Sequence, residues 1–231
     1  MKSLPSFFSS LLVLLVLTVT IGCQDADTEA RADSAPEAVT DTTDVDPAVV
    51  DTVWFAGGCF WCMEPPFDRT EGVLSTISGF AGGTVENPSY RQVASGQTDH
   101  TETVQIAYDT TKVGIDRLLY VYWRNVDPLD ENGQFCDRGA QYRPEIFVSP
   151  AHPDHKEAAL ASKDEAQSRF DRPIVVDVLE LNAFYVAEDY HQNFYKKDPG
   201  RYDSYREGCG RDARLKALWG DEGNAPPKES R

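Results

Sequence analysis

The chain has 231 residues, 41% of them apolar, with five cysteines and a formal charge of −16. That length supports one sizeable core rather than two. The acidic balance excludes nucleic acid as a partner, since phosphate binding needs a basic face; residues 51–231 hold 30 acidic and 20 basic side chains, net −10, which is solvated surface.

In chain order, "MKSLPSFFSSLLVLLVLTVTIGC" has a lone Lys2, then an apolar run from about Leu11 to Ile21, then Gly22 and Cys23. The run is short for a membrane span, which needs about 20 apolar residues, and suits the h-region of an export signal over residues 1–22. "TIGC" is similar to a bacterial lipobox, with Thr20 where Leu is usual. The expectation is lipidation at Cys23 and anchoring in the bacterial envelope on the periplasmic side. Residues 23–50 after it are rich in Asp, Glu, Ala and Thr without an aromatic, and read as a disordered acidic tether.

A folded domain is expected over residues 51–220, with a flexible tail over 221–231. "TVWFA" predicts a strand broken by Gly57 and Gly58, and "FWCMEPPFD" a helix with Pro65 and Pro66 in or near its first turn. "GVLSTISGFAGG" predicts a second strand, and "YRQVASG" a short helix closed by Gly96. "TETVQIAYD" alternates, with Glu102, Val104, Ile106 and Tyr108 on one face, so a carboxyl group lies on the apolar side of a strand. "VGIDRLLYVYWRNV" has helical spacing, "YRPEIFVS" predicts a strand, "PDHKEAALASKDEAQSRF" a long helix and "PIVVDVLEL" a further strand. The mixed order points to an α+β (mixed α/β) fold, a single compact domain with a central mixed sheet flanked by helices.

Of the cysteines in the domain, Cys59 and Cys62 form a CxxC pair, while Cys136 and Cys209 are isolated. A zinc site would want a second close pair or histidines at ligand spacing, and His152 and His155 lie on a polar segment, so no metal is expected. Cys59 falls at a strand-to-helix turn, where unpaired N–H groups and the helix dipole favour thiolate. Phe60 and Trp61 beside it could form an apolar pocket for a methyl or thioether group. A buried Glu102 would carry a raised pKa and could act as a general acid.

Taken together, "GCFWC", "GFAGGTVENPSY", "DHTETVQIAYD", "DRGAQYRPEIF" and "AEDYHQNFY", in this order from about Val53 to Tyr195, resemble the peptide methionine sulfoxide reductase A family. The resemblance implies a ferredoxin-like two-layer sandwich. It also implies reduction of methionine S-sulfoxide in proteins, and of the free amino acid, with Cys59 as the nucleophile that becomes a sulfenic acid. On the same basis Phe60 and Trp61 hold the substrate methyl, Glu102 protonates the sulfoxide oxygen, Tyr90 and Tyr142 bind that oxygen, and Asp137 positions the substrate. No bound cofactor is implied; thioredoxin or another dithiol would reduce the resulting disulfide. Oxidised exported proteins are the expected substrates and a monomer the expected state.

The sequence departs from the commonest family pattern in having Cys62 where many members have Gly, and Phe194 where some have Tyr. Cys209, read as sitting on a glycine-flanked mobile segment, is favoured as resolving thiol, with Cys62 as the alternative or a relay; Cys136 reads as a bystander. Two rivals remain on other grounds: a thioredoxin-like dithiol oxidoreductase using Cys59 and Cys62, and a lipid-anchored module that binds methionine or its sulfoxide without turnover. Neither gives Glu102 a task.

Overall fold

A computed structural model describes residues 46–224. The expected signal, Cys23, the tether to residue 45 and the end of the tail lie outside the described residues. In chain order the elements are β1 (Val50–Ala56), α1 (Phe60–Asp68), β2 (Val73–Ala81), α2 (Tyr90–Ala94), β3 (Thr101–Asp109) and α3 (Ile115–Trp123). A short pair, β4 (Gly133–Gln134) and β5 (Asp137–Arg138), precedes β6 (Glu145–Val148), α4 (Pro153–Gln167), β7 (Asp177–Glu180) and β8 (Phe184–Val186). The helices α5 (Phe194–Lys197), α6 (Pro199–Gly208) and α7 (Arg211–Trp219) complete the order.

The main sheet runs β7-β6-β1-β3-β2-β8. β6 and β7 are parallel and every other neighbouring pair is antiparallel. Its inner four strands, β6-β1-β3-β2, with α1 following β1 and α3 following β3, have the split βαβ topology of a ferredoxin-like fold. Val53 and Phe55 of β1 share the main core with Val104, Ile106 and Tyr108 of β3, with Phe60, Met63 and Phe67 of α1, and with Leu118, Leu119 and Tyr122 of α3. The opposite face of the sheet carries a smaller cluster of Trp54, Ala56, Ala81 and Phe147. Each large apolar side chain fully buried contributes about 1.5–3 kcal/mol. A one-residue slip of β1 would therefore exchange its buried faces at a cost of several such contributions, which fixes the register that aims Gly57 to Cys59.

Several boundaries differ from the sequence expectation. The last residues of the expected tether are ordered, for Asp46 caps a turn at Pro47–Val49 and Val50 already pairs with Asp109. The expected tail also starts inside the fold, because Glu222 forms ion pairs with Arg124 and Arg169. Pro65 and Pro66 lie in the second turn of α1, not the first; neither can donate a helical bond, and burial of Phe60, Met63 and Phe67 holds the helix instead. The strand expected over 173–181 pairs only at Asp177–Glu180, while Ile174 and Val176 are buried ahead of it.

The largest correction is at the C-terminal end. The stretch read as a mobile glycine-flanked segment is two helices, α6 and α7, and only Gly210, at φ +65°, breaks them. Asp198 caps α6 by accepting from Arg201 N–H at 3.2 Å, with Pro199 in the first turn. Arg211, Leu215 and Trp219, four apart, are the buried face of α7.

Candidate active site

β1 ends in two glycines because nothing larger fits. A Cβ on Gly57 would stand 2.7 Å from Val126 Cγ1, and one on Gly58 2.6 Å from Gln134 Cβ, where φ is also +84°. This tight turn places Cys59 as the N-cap of α1, and its sulfur is nearly enclosed, the residue being 7% exposed. The N–H of Cys62 donates to the Cys59 carbonyl at 3.0 Å, so the two thiols sit on one helical turn.

Glu102 reaches this turn from β3. It is 2% exposed, and its Oε2 accepts the Phe60 N–H at 3.1 Å, an otherwise orphaned donor of the helix start. Burial pushes its carboxyl up to about 8, with the negative Asp137 adding to the rise and the Phe60 N–H opposing it. At neutral pH Glu102 therefore holds its proton, as the alternation of β3 led one to expect.

The thiol of Cys59 does not follow the sequence expectation of a lowered pKa. Burial pushes it well up, and Glu102, Cys62 and Asp137 add to the rise, while a hydrogen bond with Tyr205 pulls it down. A helix N-terminus contributes about 0.3–1 kcal/mol at an exposed site, whereas complete burial moves a titrating group by up to 3–5 pK units, so burial wins. Cys62 is also raised by burial, but the cations of Arg211 and Arg206 oppose it.

Around Cys59 stands a wall of rings. Phe60 lies 4.9 Å from His191 and 6.0 Å from Phe80 between ring centres. Trp61 stacks on Phe194 at 3.7 Å and 13°, and its Nε1 donates to His191 Nδ1 at 3.1 Å. Burial lowers His191 to about 4, so the imidazole is neutral and its Nδ1 is free to accept. Tyr90 packs 4.2 Å from His191, and its N–H is held by Glu188 Oε1 at 3.0 Å. Burial, then Glu102, raises the hydroxyls of Tyr90 and Tyr142 far above their usual range, and both stay neutral donors beside Cys59. Asp137 accepts the Tyr205 hydroxyl at 2.5 Å, and burial raises its carboxyl against the opposing pull of that hydroxyl and of Arg211.

Thus Cys59, Phe60, Trp61, Tyr90, Glu102, Asp137 and Tyr142 are brought together, with Cys62 one turn into α1. Cys209 is not a free thiol: it is bonded to Cys136, Cα to Cα 4.8 Å, leaving Cys59 and Cys62 as the free cysteines among the described residues. Cys136 is correspondingly a disulfide partner rather than a bystander thiol. Sequence reasoning also missed Arg211, whose Nη2 donates to the Gly57 carbonyl at 3.1 Å and the Asn125 carbonyl at 2.6 Å, clamping the turn before Cys59 from α7. The four-residue repeat of 211, 215 and 219 was its signal.

Among the described residues two groups bring together donor atoms of the kind that hold a metal: Cys136, Asp137 and Cys209 beside the site, with both sulfurs spent on their disulfide, and a second group away from it. Asp51, at the opposite end of β1, faces His155 Nε2 at 3.0 Å and His152 Nε2 at 3.7 Å. The Tyr108 hydroxyl joins the same cluster, 3.4 Å from Asp51 Oδ2.

The model of the family described as peptide methionine sulfoxide reductase matches residues 51–223. A curated relative from Caulobacter vibrioides, named peptide methionine sulfoxide reductase MsrA 2, is 47% identical over 171 residues, covering 74% of this chain and 86% of its own. One from Vibrio cholerae, named peptide methionine sulfoxide reductase MsrA/MsrB, is 37% identical over 231 residues, all of this chain and 58% of its own. Among solved structures, methionine sulfoxide reductase A of Corynebacterium diphtheriae superposes with a TM-score of 0.62 at 33% identity, covering 71% of this chain and 82% of that one. Mxr1 of Saccharomyces cerevisiae in reduced form gives 0.63 at 28% identity, covering 67% and 89%.

Proposed function

The chain belongs to the peptide methionine sulfoxide reductase family, and from that premise we propose that it reduces the S epimer of methionine sulfoxide to methionine at Cys59. One observation carries the assignment of the site: the protonated Glu102 is hydrogen-bonded to the residue next to Cys59, inside a wall of rings. The sulfoxide methyl group packs against Phe60 and Trp61, and its oxygen faces Glu102 and the hydroxyls of Tyr90 and Tyr142. Sulfoxide oxygen leaves poorly unless protonated, so a neutral acid beside the attacking sulfur is what the step requires. Cys59 sulfur gives two electrons to the substrate sulfur and takes its oxygen; the substrate S–O bond breaks, methionine leaves, and Cys59 remains as sulfenic acid.

Cys62 resolves it in this reading. Its thiol attacks the sulfenic sulfur, water leaves, and a Cys59–Cys62 disulfide forms, which thioredoxin or a similar dithiol reduces by exchange. The reading favours Cys62 over Cys209 because Cys62 is free and shares the helical turn with Cys59, whereas Cys209 is spent on Cys136. Arg206 and Arg211 supply the positive charge that helps a thiol react. The test supplies a racemic methionine sulfoxide peptide, first in one equivalent and then in excess with thioredoxin. The expected outcome is consumption of the S epimer alone, a Cys59–Cys62 link in the digest, and a Cys62→Ser variant that completes one turnover but recycles poorly. Untouched S epimer would overturn the reductase reading; a new Cys59–Cys209 link would overturn the order of thiols.

The working substrates we infer are oxidised proteins of the cell envelope, repaired by a monomer tethered through a lipid on Cys23. What supports the anchor is the apolar run ending in "TIGC" and the acidic stretch after it. The mature protein is expected to partition into detergent, and Cys23→Ala to lose that behaviour. A mature amino terminus beyond Gln24 in the wild type would replace the anchor by plain secretion.

A further inference from the structure

Asp51 and Tyr108 face each other across β1 and β3, and the start of α4 reaches both. On the sequence, His152 and His155 are a pair on a polar segment and carry no metal expectation; the fold gives them a third donor. His152 is the N-cap of α4 and Pro153 opens its first turn. The His155 N–H donates to the His152 carbonyl at 3.1 Å, and the two rings stack at 4.8 Å and 20°. Each turns its Nε2 to the same carboxylate: His155 lies 3.0 Å from Asp51 Oδ2, and His152 3.7 Å from Oδ1. That carboxylate is itself oriented. The Thr52 N–H donates to Oδ1 at 2.6 Å and the Tyr108 hydroxyl to Oδ2 at 3.4 Å.

We propose that Asp51, His152 and His155 form a binding site for a divalent metal ion that prefers nitrogen ligands, zinc in the first instance. Two donors bonded at ~2.0–2.1 Å to a tetrahedral ion stand about 3.3 Å apart, and the two nitrogen–oxygen separations here bracket that value. All three donor atoms lie within 4.8 Å of one another. The His152 side chain, 43% exposed, can swing to close the remaining gap and leaves a fourth position to water. Two imidazoles with one carboxylate suit zinc, copper or nickel, whereas calcium and magnesium want oxygen. The count of protons points the same way. The Tyr108 hydroxyl, 3.3 Å from His155 Nε2, has one proton for two acceptors, that nitrogen and Asp51 Oδ2. An ion bonded to both removes the conflict and leaves the phenol to support the carboxylate. One cost opposes binding. With Nε2 on the ion, the His155 proton sits on Nδ1, which is buried and has no partner among the described residues. An unmade hydrogen bond weakens binding by roughly 10–100-fold, so the affinity is expected to be micromolar rather than nanomolar. Asp51 to Ala56 spans about 17 Å of strand, so the ion stays clear of the thiols. Its effect is to pin β1 to α4, stabilising the folded state that it binds.

The test strips the full chain with a chelator and titrates it with zinc chloride by calorimetry and with cobalt(II) by absorption. The expected result is one zinc per chain, cobalt bands of a nitrogen and oxygen site without a thiolate charge-transfer band, and a Tm raised by roughly 5–10 °C at about 100 times the Kd. His152→Ala, at a half-exposed position, should weaken zinc binding at least about tenfold and shrink that rise. Tyr108→Phe should weaken it roughly tenfold, through the carboxylate that the hydroxyl orients. No binding up to about 1 mM zinc, or wild-type affinity in His152→Ala, would overturn the proposal. A cobalt thiolate band that persists in His152→Ala would do the same, by placing the ion on Cys59 and Cys62, the free cysteines among the described residues. Thermal unfolding of each variant guards the comparison, and should His152→Ala fail to fold, Asp51→Asn decides: unchanged zinc affinity there overturns the site.

Discussion

Cys59→Ser is expected to leave less than a few per cent of wild-type sulfoxide reduction, with no sulfenic acid adduct of residue 59 in the presence of dimedone. The reaction moves an oxygen atom onto the attacking group, and a hydroxyl has no stable form that carries it, whereas sulfur accepts it and later surrenders it to a thiol. The fold should not suffer. Residue 59 is the N-cap of α1, at φ −55° and ψ 122°, with no side-chain cap bond from the cysteine. Serine is among the preferred N-caps, and good caps differ from poor ones by about 0.5–2 kcal/mol, so the variant should unfold at the same temperature as the wild type or higher. Loss of activity together with retained or raised stability is the signature of chemistry at this position. Turnover above a few per cent in purified protein would mean that another group attacks the sulfoxide.

Much of this arrangement was legible because it is written in local patterns. The alternation of "TETVQIAYD" put Glu102 inward, and it is 2% exposed. The glycines before Cys59 marked a strand-to-helix turn, and both are fixed by close contacts there. What was not legible depends on contacts between distant segments. Cys136 and Cys209 are 73 residues apart, and no local feature links them. The thiol of Cys59 stands higher than the helix start alone suggests, because that start is visible in the sequence while the burial of the residue, 7% exposed, is not. The flanking glycines of Cys209 suggested a loose segment, yet only Gly210 takes a left-handed φ, and Arg211, Leu215 and Trp219 bury α7 against the body of the fold.

Glu102→Gln is expected to slow the sulfenic acid step by roughly 10²–10⁴-fold, the usual range for general acid catalysis, and to leave peptide binding nearly unchanged. Glutamine keeps an oxygen for the Phe60 N–H, so the start of α1 stays in place. In the wild type, Glu102 titrates near 8 and the Cys59 thiol is held well up by burial, so both groups keep their protons at neutral pH. The single-turnover rate should therefore fall as pH rises through about 8, where Glu102 loses its proton, and that limb should vanish in Glu102→Gln. Stability gives an independent reading with a definite sign. The folded-state pKa of Glu102 lies above its unfolded value of 4.5, so its contribution is fully present below that value and is lost as pH rises toward about 8. Glutamine has no proton to lose. The two proteins should thus unfold at similar temperatures near pH 4.5, and the variant should gain on the wild type up to about pH 8, by about 2–4 °C for each kcal/mol. A wild-type rate that climbs through pH 8, or a stability gap that does not widen with pH, would show that Glu102 is ionised in the folded protein and that the proton on the sulfoxide oxygen comes from elsewhere.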